Sequence, residues 1–206
     1  MIFATNNKGK LREIKKILDD FEIVSLKEYG IEVDVIEDEN TFIGNALKKA
    51  KEIYELTKEA TLADDSGLCI DIFEDWPGVL THRFLGEDAT DIDRNNAILE
   101  KMKDLKGKDR SAKVVCDLVY YDGNQTIIGE GIINGKISLE RRGNNGFGFD
   151  EIFELDNGKT LAELTPEEKN EISARALAAE DLKKKYNFLC WLFSTFMIYL
   201  PWFKIW

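Results

Sequence analysis

The chain has 206 residues, 44% of them hydrophobic and 33% charged, which fits a folded domain with a sizeable core and excludes general disorder or a fibrous repeat. Its 28 Lys and Arg stand against 39 Asp and Glu, for a net charge of −11. That excludes a protein that coats nucleic-acid polymers, which needs clustered cations, but permits a small anion held in a local basic pocket.

Ile2-Phe3-Ala4 predicts a short buried strand running into a polar turn, then a helix with Leu11, Ile14, Ile17 and Leu18 on one side. Residues 21–26 read as a second strand, and the alternation of Ile31, Val33 and Val35 as a third. From Thr41 a helix carries the stripe Phe42, Ala46, Ala50, Ile53 and Tyr54. Thr61-Leu62-Ala63 reads as a strand ending in the turn Asp64-Asp65-Ser66-Gly67, with strand resuming over 68–73. Residues 91–105 predict a helix, and 112–121 with 126–133 a hairpin closed by Asp122-Gly123-Asn124. Residues 141–148 read as a glycine-rich loop, and Thr165-Pro166-Glu167-Glu168 as a capping box opening a helix to about Tyr186. Strands alternating with helices early and a hairpin late predict an α/β fold with a mixed sheet. The three cysteines, Cys69, Cys116 and Cys190, form no CxxC pair, and the first residues lack a signal-peptide pattern; both fit a reducing cytoplasm.

Four segments suit chemistry. Thr5-Asn6-Asn7-Lys8-Gly9-Lys10, between a strand and a helix, offers amides, lysines and a glycine to a phosphate, or is a plain capped helix start. Asp64-Asp65-Ser66-Gly67 at a strand end offers hard oxygen ligands to Mg²⁺, or is a polar turn. Glu37-Asp38-Glu39 supplies a second metal ligand or leads a helix as solvated acid. In 141–150, glycines and aromatics suit a flat ring whose N–H Asp150 accepts, or the Phe side chains plug the core. The lone histidine, His82, has no triad or cluster partner and reads as structural.

Taken in order, ATNNKGK, ENTFIGNALKKA, ADDSGL, WPGVLTHRFLGEDAT, GFGFD and AELTPEEKNEISARA resemble the inosine triphosphate pyrophosphatase family over about residues 1–185. The resemblance implies an elongated two-lobed α/β fold, a cytoplasmic homodimer, and Mg²⁺-dependent hydrolysis of ITP, dITP and XTP to the monophosphate and pyrophosphate. By motif position it implies that Thr5, Asn6, Asn7, Lys8, Gly9 and Lys10 bind the triphosphate, with Asn45 and Lys49 in support. It implies that Glu37 and Asp65 hold magnesium, that Asp65 is also catalytic, and that Ser66 contacts substrate. Phe147, Gly148, Phe149 and Asp150 match the base-binding segment. Lys169, Ala174 and Arg175 match late substrate positions, with Arg175 directed at a 6-keto oxygen.

The chain departs from the family pattern at four places. Ala174 stands where His is usual, Asn144-Asn145 where Thr-Gly is usual, Glu151 for a common proline and His82 for a common alanine. These bear on base discrimination, so a broadened nucleotide preference and triphosphate binding without turnover are the competing functions. Residues 187–206 form an atypical hydrophobic tail beyond a catalytic unit of 1–186. No charge occurs from Phe188 to Phe203, and Trp191, Trp202 and Trp206 are three of the four tryptophans. A packing helix, a membrane contact and a shifted reading frame each fit this tail; a spanning helix needs ~20 apolar residues.

Overall fold

In a computed structural model, residues 1–86 and 88–199 are described, the last twelve of these as backbone only. The strand β1 (Ile2–Phe3) lies between β2 (Val24–Ser25) and β3 (Thr61–Ile70), parallel to both. The short β4 (Trp76–Pro77) pairs antiparallel with the end of β3. Antiparallel pairing then runs from β3 to β5 (Ser111–Tyr121), to β6 (Thr126–Ile137) and to β7 (Phe153–Glu154). Among the described residues this is one seven-stranded mixed sheet, as the pattern of elements predicts.

Strand alternation divides the core between the two sheet faces. On one face Ile2, Ala4, Ala63 and Val119 meet Ala46, Ala50 and Ile53 of α3 (Phe42–Thr57). On the other, Phe3, Leu62, Leu68 and Leu118 join Ile14 of α1 (Lys8–Ile17) and Ile98 of α4 (Asp91–Lys101). The C-terminal helix α6 (Ala174–Tyr199) adds Ala178, Ala179 and Leu182 to that second core. Its approach depends on Gly129 and Gly131 of β6, where a Cβ would strike the helix backbone at Ala178 and Ala174. Each buried aliphatic side chain contributes about 1.5–3 kcal/mol to holding these layers together.

Several expected elements differ. Asp64-Asp65-Ser66-Gly67 is not a turn: β3 runs through it unbroken, each residue paired with β5. Gly67 sits there because a Cβ would lie 2.5 Å from both the Gly78 carbonyl and the Thr81 hydroxyl. Ile31, Val33 and Val35 alternate in burial but have no ladder partner, so they form extended loop. Of the stretch 21–26, only Val24–Ser25 is strand, and a short helix, α2 (Leu26–Tyr29), follows at once because Ser25 and Glu28 make a capping box. The helix opened by Thr165 is α5 (Pro166–Ile172); it stops at Ser173, which is extended and whose hydroxyl accepts from the Ala176 N–H to start α6. The helix α6 then continues past Tyr186 to Tyr199.

Candidate active site

Because β3 is continuous, its adjacent acids point to opposite faces. Asp64 is fully buried toward α1 and α6: its Oδ2 meets Lys10 Nζ at 3.2 Å and accepts from Arg175 Nε at 3.2 Å and Nη2 at 2.8 Å. Burial alone would raise this carboxyl, but Lys10, Arg175 and Lys49 outweigh it and hold it below the usual carboxylate range. Its Oδ1 is buried with no hydrogen-bond partner among the described residues. Asp65 faces α3, where Oδ2 accepts from Asn45 Nδ2 at 2.8 Å and Oδ1 from the Ser66 N–H at 2.8 Å. Lys49, one turn along α3, donates to the Asp64 carbonyl at 2.6 Å and pairs with Glu37.

Burial raises the Asp65 carboxyl and Glu37 adds to it, against Lys49, Lys10 and Asn45. Two hard carboxylates that repel one another fit a divalent cation, which would relieve the repulsion. Among the described residues no group of three or more His, Cys, Asp or Glu is set to hold a metal, so there is no all-protein cage.

A cleft of about 540 Å³ opens over the start of α1, lined by Thr5, Asn6, Asn7, Lys10, Glu37 and Lys49. Arg83 and Arg94 join Lys10 and Lys49, giving four cations against Asp34 and Glu37. In a chain of net charge −11 this is a local inversion of sign. The helix amides are not the donors here, because Asn7 Oδ1 accepts from Gly9 N at 2.8 Å and Lys10 N at 3.2 Å and so caps α1. Lys8 is exposed and lines no part of the cleft. Gly9 has another reason: a Cβ there would lie 2.5 Å from the Phe147 ring, so the glycine admits the aromatic rather than a phosphate.

A second, narrower pocket of about 60 Å³ is lined by Ser66, Phe147, Gly148, Phe149, Asp150, Lys169, Ala174 and Arg175, with Val114, Ile133 and Phe153 as apolar wall. Lys169 bridges Glu13 at 2.7 Å and Asp150 at 2.5 Å, and stands 4.6 Å from the Phe147 ring centroid. Burial raises the Asp150 carboxyl against the pull of Lys169 and the Phe147 N–H, which donates to it at 2.8 Å. Arg175 donates to Glu13, twice to Asp64, and to Ser66 Oγ at 3.2 Å. One N–H of its Nη1 remains over for a ligand. Among the described residues, only Lys10 and His82 line both the cleft and the pocket.

The sequence of the chain matches the Ham1 family over residues 1–185. The chain belongs to the Ham1 family. It is 42% identical over 192 residues to a dITP/XTP pyrophosphatase of Clostridium tetani, covering 90% of this chain and 94% of that one. It is 40% identical over 183 residues to a dITP/XTP pyrophosphatase of Escherichia coli, covering 86% and 93%. A solved Ham1 protein from Coxiella burnetii superposes with a TM-score of 0.81 at 37% identity, covering 90% of this chain and 97% of that one.

In this Ham1 chain the fold brings together Thr5, Asn6, Asn7, Lys10, Glu37 and Lys49 in the cleft, and Ser66, Phe147, Gly148, Phe149, Asp150, Lys169, Ala174 and Arg175 in the pocket. Asn45 and Asp65 stand just behind the cleft, with Asp65 only 3% exposed. Reading the sequence missed Glu13, which anchors both Lys169 and Arg175; its spacing three residues from Lys10 on one helix face was the available signal. It also missed Asp91 and Asn95 of α4, which hold the 141–150 loop by bonding the Gly148 N–H at 2.8 Å and carbonyl at 3.0 Å. His82, read as structural, lies at the junction of the two cavities.

Proposed function

We propose that the chain hydrolyses non-canonical purine nucleoside triphosphates (ITP, dITP and XTP) to the monophosphate and pyrophosphate, removing them from the nucleotide pool. The observation that carries this reading is a cationic cleft of about 540 Å³ that shares Lys10 and His82 with a pocket walled by Phe147, Phe149 and Phe153. The names of the relatives support the same substrate class.

Lys10, Lys49, Thr5 and Asn7 hold the phosphates, and the two lysines stabilise charge that develops on the departing pyrophosphate. Glu37 and Asp65 would hold Mg²⁺, whose chemistry there is to neutralise charge on the phosphate oxygens. Asp65, with lone pairs left after Ser66 and Asn45, orients the attacking water and takes its proton. The water oxygen bonds to the α-phosphorus as the α–β bridging bond breaks, and the electron pair leaves with pyrophosphate. In the pocket, the base lies against Phe147, and the free Arg175 N–H donates to a 6-keto oxygen. An adenine amino group would set donor against donor there, which rejects it strongly.

The catalytic unit is residues 1–186, with 187–206 appended. The active form is a homodimer, consistent with the exposed apolar Ile132 and Leu139. A cytoplasmic setting suits the buried free thiols of Cys69 and Cys116. No helix among the described residues is long and apolar enough to cross a membrane.

The test is product analysis with ITP, XTP, GTP and ATP, with and without Mg²⁺. Pyrophosphate with IMP or XMP, lost on chelation, is the expected result. Orthophosphate as first product, or equal rates on ATP, would overturn the reading.

A further inference from the structure

His82 is the only histidine of the chain. Its backbone is fixed from three sides. Thr81 Oγ1 accepts from the Leu68 N–H at 3.1 Å, the His82 carbonyl accepts from Arg94 at 2.7 Å, and Arg83 donates to the carbonyls of Val79 and Glu37. The imidazole itself is half-buried and has no hydrogen-bond or ion-pair partner among the described residues. Lys10, the other residue shared by the two cavities, is already paired with Asp64. A polar ring on an anchored backbone, without a partner among the described residues, thus stands where the cationic cleft meets the aromatic pocket.

The connectivity of the ligand says what must pass that junction. A nucleoside triphosphate with its base in the pocket and its phosphates in the cleft carries its sugar between them. We propose that His82 is the sugar-reading residue of the site, hydrogen-bonding the ribose hydroxyls of the bound substrate. This rests on the nucleotide reading above. The charge state fits: burial, then Lys10 and Arg94, push the imidazole down to about 4 against the opposite pull of Asp91 and Glu37. A neutral imidazole has one donor and one acceptor, which suits a hydroxyl. A phosphate oxygen, which only accepts, is better served by the lysines.

The test compares wild type, His82→Ala and His82→Asn on ITP, 2′-deoxy-ITP and 2′,3′-dideoxy-ITP, with the specificity constant and KM read separately. Removing one such bond is expected to cost His82→Ala about five- to tenfold in kcat/KM on ITP, mostly through KM. The loss should shrink to less than about twofold on the dideoxy substrate, which has no hydroxyl to read. His82→Asn, with donor and acceptor kept, should recover most of the ITP loss. Equal loss on all three sugars, or none on ITP, would overturn the assignment. So would a loss that follows the base (ITP against GTP) at constant sugar. Wild-type pyrophosphate release from ITP reports on the nucleotide reading itself, and its absence overturns both; the sugar dependence of the wild-type to His82→Ala ratio reports on His82 alone.

Discussion

Asp64 and Asp65 carry the same side chain one position apart, and the period of a strand gives them opposite work. Asp64 is tied to Lys10 and Arg175 and is structural in the sense that its charge holds two site cations in place. The Asp65 carboxyl is raised by burial and by Glu37, against Lys49, Lys10 and Asn45. Asp65→Asn is expected to lower kcat on ITP by about a hundredfold or more, the usual span for a lost general base. The fold should survive. The new amide loses one partner, because Asn45 Nδ2 already points at that oxygen and Asn45 Oδ1 is engaged by the Glu39 N–H. That mismatch costs about 1 kcal/mol, and relief from Glu37 offsets part of it. Turnover and thermal unfolding check both halves, and near-normal hydrolysis of ITP would remove Asp65 from the mechanism. At this scale the side-chain types were legible, since Lys10, Glu37, Lys49 and Arg175 stand in motifs whose chemistry is readable. Which of two adjacent acids faced which cation was not, because polar residues inside a strand look like a turn until β5 is laid beside them.

The sheet carries a row of acids across three strands, Asp65 opposite Asp117 and Asp117 opposite Glu130. Like charges directly opposite are destabilising. Burial first, then Glu130 and Asp65, push the Asp117 carboxyl up to about 6, although the Ile43 N–H at the start of α3 donates to it. A carboxyl raised in the folded state costs stability when ionised, so the penalty is full above about pH 6 and fades as pH falls toward the unfolded value of 3.8. Asp117→Asn is therefore expected to raise the Tm at pH 7.5 and to leave it unchanged near pH 4; an equal gain at both would show a cause other than charge. A second contact between elements is that of Gly9 in α1 with Phe147 of the 141–150 loop. Gly9→Ala should raise KM for ITP several-fold, since the ring must give way to a Cβ at 2.5 Å, while the helix itself gains up to about 1 kcal/mol of propensity. An unchanged KM would mean that the ring moves freely. Helix caps and the β5–β6 hairpin were legible because their signals are local. The segment with Ile31, Val33 and Val35 was misread for the opposite reason: Val33 and Val35 pack against the α3 core, and no strand among the described residues offers the segment a ladder.

Over the whole molecule, an acidic chain gathers four cations around one cleft, and that inversion of sign follows from topology rather than from local composition. The start of α6 is tied into the body by contacts that lie before the hydrophobic tail. The helix α6 buries Ala174, Ala176, Ala178, Ala179 and Leu182, and Lys185 donates to the Ile128 carbonyl at 2.8 Å. Tyr186 then packs edge-on to Phe21 and Tyr120, with ring centroids 5.9 and 5.6 Å apart. Tyr186 is half-buried and packs against the core, and a truncation that removed it would forfeit about 1–3 kcal/mol of apolar burial and ring packing. A chain of residues 1–186 keeps every assigned site residue and every one of these contacts. It is expected to unfold within a few degrees of the full chain, to hydrolyse ITP at the same rate, and to stay in solution at concentrations where residues 187–206, many of them apolar, promote association. Positions 200–206 lie outside the described residues. Thermal unfolding, light scattering and ITP turnover of 1–186 beside 1–206 decide it: a Tm lowered by more than about 10 °C, or lost turnover, would place the tail within the cooperative fold.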